Sequence, residues 1–224
     1  MGEADMHPSL ITFSEPDCAK EGWTLYNAQQ ECKRSNMSYD PRKAAQTIAY
    51  LAVKNGRQPL NILKAIKLVY LADRESVRRS GFTIQDEPHY SMPHGPVNST
   101  TYRLINGEVP PEDTDGWSEF LTDRNEHRVG LVDPQVDADD LDELSDAEIS
   151  VLDDVWEQFG HMTQWQLVDW THDPHNVPEW EDPNGSSDPI PLRRMMDALG
   201  VPNAADQEAF VREHRRSSAY LKAL

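Results

Sequence analysis

The stretch from Leu60 to Gly81, LNILKAIKLVYLADRESVRRSG, constrains the fold more than any other part of this chain. Up to Ala72 its apolar run is broken only by Asn61, Lys64 and Lys67. Leu63, Ile66, Tyr70 and Val77 share one face at helical spacing, and Ile62, Ala65, Val69 and Ala72 fill the adjoining arc. A helix apolar around most of its circumference has to be surrounded. It is therefore expected as the buried central helix of a compact, mainly α-helical domain with at most two or three short strands. Asp73, Arg74, Glu75, Arg78 and Arg79 mark where the helix is expected to surface, and Gly81 suits a left-handed C-terminal cap. About 20 residues at 1.5 Å each span roughly 30 Å, the width of a small domain.

The flanks supply further helices. Asp40 followed by Pro41 is a helix start, with Ala44, Ala45, Ile48, Leu51 and Ala52 as the buried stripe and Gly56 as the stop. After Gly81 the chain turns irregular up to Tyr90. Met92-Pro93-His94-Gly95-Pro96-Val97 follows as a stiff turn, then a short helix from about Val97 to Ile105. Ser145 and Glu148 form a capping box for a helix ending at Gly160. Thr163 and Gln166 form another for a helix that stops at Thr171-His172-Asp173-Pro174. Helices starting at Pro191 and at Asn203 complete the pattern. Residues 1–36 lack a period and are expected as a poorly ordered N-terminal extension. The domain is expected over 37–200, with residues 201–224 as a C-terminal helix.

Charge is unevenly placed. The 224 residues carry a net −18, and sixteen Asp or Glu against two arginines fall between Glu112 and Asp154. Residues 108–143 are thus expected as an acidic, solvated insertion, with Arg128–Val132 its one strand candidate, pairing near Tyr90. A phosphate-binding groove needs the opposite sign, so no nucleic-acid partner is expected. No apolar run is long enough to span a membrane, and no membrane association is expected. Cys18 and Cys32 form neither a disulfide framework nor a zinc set, which suits a reducing cytoplasm.

Catalytic patterns are missing. There is no Gly-x-Ser-x-Gly elbow, P-loop or dinucleotide-binding glycine run. His172 and His175 flank Asp173-Pro174 at a spacing that matches no metal motif, so no metal or cofactor is expected, and His172 is read as a capping or hydrogen-bonding residue. His94 is read as a turn residue. A hydrolase built on His94 or His172 with an acidic partner is the enzymatic alternative. Trp117 and Trp180 fall in loops and, with Asp137, Asp139, Asp140 and Asp142, are the candidate partner contacts.

Three stretches, LKAIKLVYLADRESVRRSG (Leu63–Gly81), MPHGPVNSTTYRLING (Met92–Gly107) and LSDAEISVLDDVWEQFGHMTQWQLVDWTHDP (Leu144–Pro174), occur in this order. Together they resemble the Panacea domain of SocA-like, phage-associated antitoxins, over roughly Asp40 to Leu199. Lys67, Tyr70 and Asp73 match its helix motif, and Gly95, Pro96 and Val97, beside His94, match its turn. Trp165, Thr171 and His172 match its second helix, with Trp180 beyond it. The acidic insertion and the N-terminal extension depart from the pattern. The resemblance implies a non-catalytic domain that neutralises a cognate protein toxin by direct binding, with the acidic segment suiting a basic one. It leaves open a homo-oligomer, a toxin complex, an adaptor delivering the toxin to a protease, or a phage-derived regulatory protein with no toxin.

Overall fold

Asp40 starts the first helix as expected: its carboxylate accepts hydrogen bonds from the Arg42 and Lys43 amides, with Pro41 at the first helical position. The structure is a computed structural model and describes residues 39–109, 114 and 116–222. The expected N-terminal extension and both cysteines lie outside the described residues. Helix α1 (Pro41–Lys54) buries four alanines, Ala44, Ala45, Ala49 and Ala52, so its backbone can approach its neighbours closely. Strand β1 (Leu60–Asn61) leads into α2 (Ile62–Ser80), where Asn61 caps the start by accepting from the Lys64 amide. Gly81 closes α2 with φ 79°, a left-handed conformation that a side chain would strain.

Twelve of the nineteen residues of α2 are buried. The helix packs against α1, β1, strand β3 (Gly95–Asn98), α3 (Ser99–Ile105), α5 (Asp146–Phe159), α6 (Gln164–His172) and α7 (Leu192–Ala198). Two details differ from the periodic reading. Leu63 is only half-buried, whereas Lys67 and Asp73, which interrupt the apolar pattern, are both 0% exposed. The helix surfaces at Arg78, later than its polar residues suggested.

The architecture is mainly α-helical, with eight α-helices among the described residues, the last being α8 (Ala204–Lys222). Its five short strands exceed the two or three expected. Strand β2 (His89–Met92) pairs antiparallel with β3 through a tight turn at Pro93-His94, and on its other side with β5 (Asp188–Ile190). The order β3-β2-β5 leaves Pro96 and Pro189 on edge strands, where a missing N–H is tolerated. Gly95–Asn98 is therefore strand, and the helix expected from Val97 starts at Ser99.

The acidic segment is packed, contrary to the solvated insertion expected. Strand β4 (Arg128–Val129) pairs with β1 rather than near Tyr90, and Leu121 bridges to Leu131. Trp117 opens α4 (Trp117–Phe120), which lies on α1. Trp117, Leu121, Val129, Val136, Leu141 and Leu144 are all buried, although Val132 is 50% exposed, and the described carboxylates from Glu119 to Glu143 lie at the surface. Both predicted capping boxes are present, Ser145 with Glu148 and Thr163 with Gln166.

Candidate functional site

Lys67, Tyr70 and Asp73 recur every three residues along one face of α2, and each is 0% exposed. Each reaches a different segment. Asp73 Oδ1 accepts from the Ile84 and Gln85 amides at 2.7 and 3.0 Å. Its Oδ2 accepts from Asn98 Nδ2 at 2.7 Å and lies 2.9 Å from His89 Nε2. One carboxylate thus ties both strands of the hairpin, and the loop before them, to the helix. Tyr70 donates to Glu179 Oε1 at 2.8 Å, and Arg74 Nε donates to the same oxygen at 2.7 Å. Arg194 donates to the Glu179 carbonyl, which brings α7 into the same cluster. The Tyr70 ring also meets His89 edge to face at 5.7 Å.

Lys67 Nζ donates to the Pro96 carbonyl at 2.7 Å, and no carboxylate lies within ion-pair distance of it among the described residues. Burial lowers its pKa to about 7, because the ammonium has given up water without gaining an anion. Glu87 shows the converse: burial pushes its carboxyl up to about 7, although the Thr101 hydroxyl and the Thr100 and Thr101 amides donate to it. Buried charges held this way are costly to uncouple, about 3–5 kcal/mol when one partner is removed.

The hairpin turn meets α6 at Gly95, whose φ is 91°. A Cβ there would sit 2.8 Å from Thr171 Oγ1, 3.0 Å from Lys67 Nζ and 3.3 Å from His172 Cδ2. Conformation and space both demand glycine at this point. The His172 ring stacks on Trp180 at 4.3 Å, and Trp180 Nε1 donates to the Met92 carbonyl at 3.3 Å. Burial first, then Lys67, lowers the His172 pKa, which keeps the ring neutral at pH 7. Among the described residues the buried His172 Nε2 has no hydrogen-bond partner, and the ring is held by its stacking on Trp180. Neither His94 nor His172 has a carboxylate within hydrogen-bonding distance among the described residues.

The candidate partner contacts are not brought together. Trp117 is 7% exposed and faces the core. Trp180 is half-buried against His172. Asp137 and Asp140 cap the 3-10 turn Ala138–Asp140 reciprocally, and these two and Asp139 are exposed. Asp142 is held to α1 by Gln46 Nε2 at 2.7 Å and Arg42 Nη2 at 2.9 Å, and these donors lower its pKa. Sequence reasoning missed Glu87, His89, Asn98 and Glu179, which lie in irregular or short segments where polarity has no period to break. Trp165, which matches the family's second-helix motif, is 57% exposed, with His94 edge-on at 6.2 Å. Among the described residues no cluster of His, Cys, Asp and Glu suits a metal ion, and no helix is long and apolar enough to cross a membrane.

Comparison with known families finds one match: the model described as "Antitoxin SocA-like, Panacea domain" covers residues 66–181. No curated protein and no solved structure matches the chain. The matched span contains Lys67, Tyr70 and Asp73, the whole hairpin, the packed acidic segment, the Thr171-His172 end of α6 and Glu179. It takes in the hydrogen-bond partners of Lys67, Tyr70 and Asp73, and it covers more than half of the sequence. The chain belongs to the family of SocA-like antitoxins defined by the Panacea domain.

Proposed function

We propose that this protein is a cytoplasmic antitoxin that neutralises a cognate protein toxin by direct contact, without catalysis. The observation that carries the proposal is its membership of the SocA-like family. The exposed aspartates at Asp137, Asp139 and Asp140 support a basic toxin surface as the partner. A field of one sign attracts its opposite and speeds encounter. Asp142 acts with them by anchoring the turn to α1. Trp117 faces the core and supports the segment from within. We further take α2 as the post around which residues 37–200 assemble, because α1, α5, α6, α7 and the hairpin all pack on it.

The test is co-expression with the neighbouring reading frame, scored by growth. Rescue by this chain supports the reading, and toxicity that persists despite soluble antitoxin refutes it. Changing Asp137, Asp139 and Asp140 to Asn should slow association with the toxin and flatten its salt dependence, with stability nearly unchanged. Unaltered association rates from low to high salt would remove these aspartates from the interface.

A further inference from the structure

Beside the hairpin turn, α2, α3 and the start of α6 enclose a cleft of about 500 Å³. Its walls are mostly apolar: Leu63, Ile66, Met92 and Pro93, with Tyr102 and the exposed Trp165 at the edge. A concave site of this size, with apolar walls and few polar groups, has the character of a small-ligand site. Its charge is the unusual part. In a chain with a net −18, no Asp or Glu among the described residues lines this cleft. His94, Arg124 and His127 stand at its rim, and Lys67 lies beneath the Gly95-Pro96 floor.

Arg124 is one of only two basic residues among the sixteen carboxylates of the acidic segment, yet it is placed here. Its Nη1 donates to Asn106 Oδ1 at 2.8 Å and its Nε to the Glu126 carbonyl at 2.7 Å. Both partners are neutral, and no carboxylate pairs with the guanidinium among the described residues. The side chain is thus oriented by two hydrogen bonds while its charge stays uncompensated and Nη2 is left for a ligand. Trp165, 57% exposed, offers an indole face that an apolar body would cover.

We propose that this cleft binds a carboxylate carrying a flat or branched apolar body, the body against Trp165 and the carboxylate toward Arg124, His94 and His127. A single negative charge fits one available guanidinium nitrogen and two imidazoles. A phosphate dianion is better matched by convergent backbone amides or by clustered arginines, and Arg124 is the one arginine among the described residues that lines the cleft. The same chemistry is presented by a free aromatic acid and by the C-terminal carboxylate of a peptide ending in a large apolar residue.

Calorimetric titration of the full chain separates these sources. The probes are 2-naphthoate, its neutral analogue 2-naphthylmethanol, inorganic phosphate, and the peptide Ala-Leu-Phe as free acid and as amide. The naphthoate or the free-acid peptide should bind about tenfold more tightly than its neutral counterpart and than phosphate, as one charge-assisted hydrogen bond implies. Tighter binding of naphthoate assigns the site to a free acid, and tighter binding of the peptide acid assigns it to a chain terminus. Arg124→Gln should remove that about tenfold preference and leave the alcohol unaffected, whereas Trp165→Ala should weaken acid and alcohol alike. Both are surface changes, and an unchanged melting temperature confirms the fold. Equal affinity for acid and alcohol, phosphate binding as tight as the acid, no binding by either acid, or an acid preference that survives Arg124→Gln would each overturn the proposal.

Discussion

Replacing Lys67 by Met gives the sharpest test of the buried network, because its effect depends on pH in a known direction. In the unfolded chain the lysine has its ordinary pKa of 10.5, and in the native state burial lowers it to about 7. Between these values the unfolded state binds more protons than the native state, so stability rises with pH. The contribution is complete above 10.5 and is lost as pH falls toward 7. From pH 7 to 9.5 the unfolded lysine stays protonated while the native one goes from half-charged to neutral. Integrating the proton difference at 1.36 kcal/mol per unit yields about 3 kcal/mol. Methionine matches the length of the side chain but cannot ionise. It leaves the Pro96 carbonyl without its donor, a penalty of about 1–3 kcal/mol that does not vary with pH. Glu87 titrates at the lower edge of this window and cancels in the difference, whereas His172, whose pKa Lys67 helps to lower from 6.5, titrates below the window in both proteins. Urea unfolding at fixed ionic strength, repeated at half-unit steps, should show the unmodified protein gaining about 3 kcal/mol on Lys67→Met across the window. A stability difference constant from pH 7 to 9.5 would show that Lys67 stays charged when buried, and the argument from desolvation would fail.

Three further outcomes are expected. Ile66→Ala, at a position 3% exposed on α2, should cost about 2–5 kcal/mol in thermal or urea unfolding, and a loss under about 1 kcal/mol would deny α2 its role as the post. Asp73→Ala strands two amides, His89 and Asn98 at once, and should cost about 3–5 kcal/mol, with hairpin amides exchanging faster than those of α5; uniform exchange would place the damage elsewhere. A chain starting at Met37 should melt at the same temperature and still rescue growth, and aggregation of that chain would show that residues before Met37 cover apolar surface.

What could be read in the sequence was whatever is local. Helix starts at Asp40-Pro41, Ser145-x-x-Glu148 and Thr163-x-x-Gln166 are legible because cap and partner lie within one turn, and the structure forms all three. Gly81 is legible for the same reason. The acidic segment is not, because Trp117, Leu121, Val136, Leu141 and Leu144 enter the core from turns and bridges at irregular spacing. Composition alone marks such a stretch as solvated. The hairpin was hidden by Pro96, which argues against a strand until the sheet order shows β3 at an edge. Lys67 and Asp73 were misjudged because periodicity scores a polar residue as outward-facing, whereas burial depends on partners contributed from 11 to 29 residues away.

That misjudgement bears on how the family can be recognised without its toxin being known. Lys67, Tyr70, Asp73 and Gly95 make up much of the recognisable motif, and all four are buried. Their hydrogen bonds reach the Ile84-Gln85 loop, both hairpin strands and Glu179. Their common effect is to hold irregular segments at fixed positions on one helix, which apolar packing alone would leave free to slide. A motif enclosed in this way specifies the scaffold and cannot touch a partner. On the proposed antitoxin reading, recognition comes from exposed side chains, such as the aspartates around Ala138 and, within the motif itself, Trp165. These positions can change without breaking the network, since Asp139 and Trp165 contribute nothing to it. The buried residues of the motif and the exposed residues proposed to meet a toxin are therefore separate sets, and a change of partner would leave the first intact.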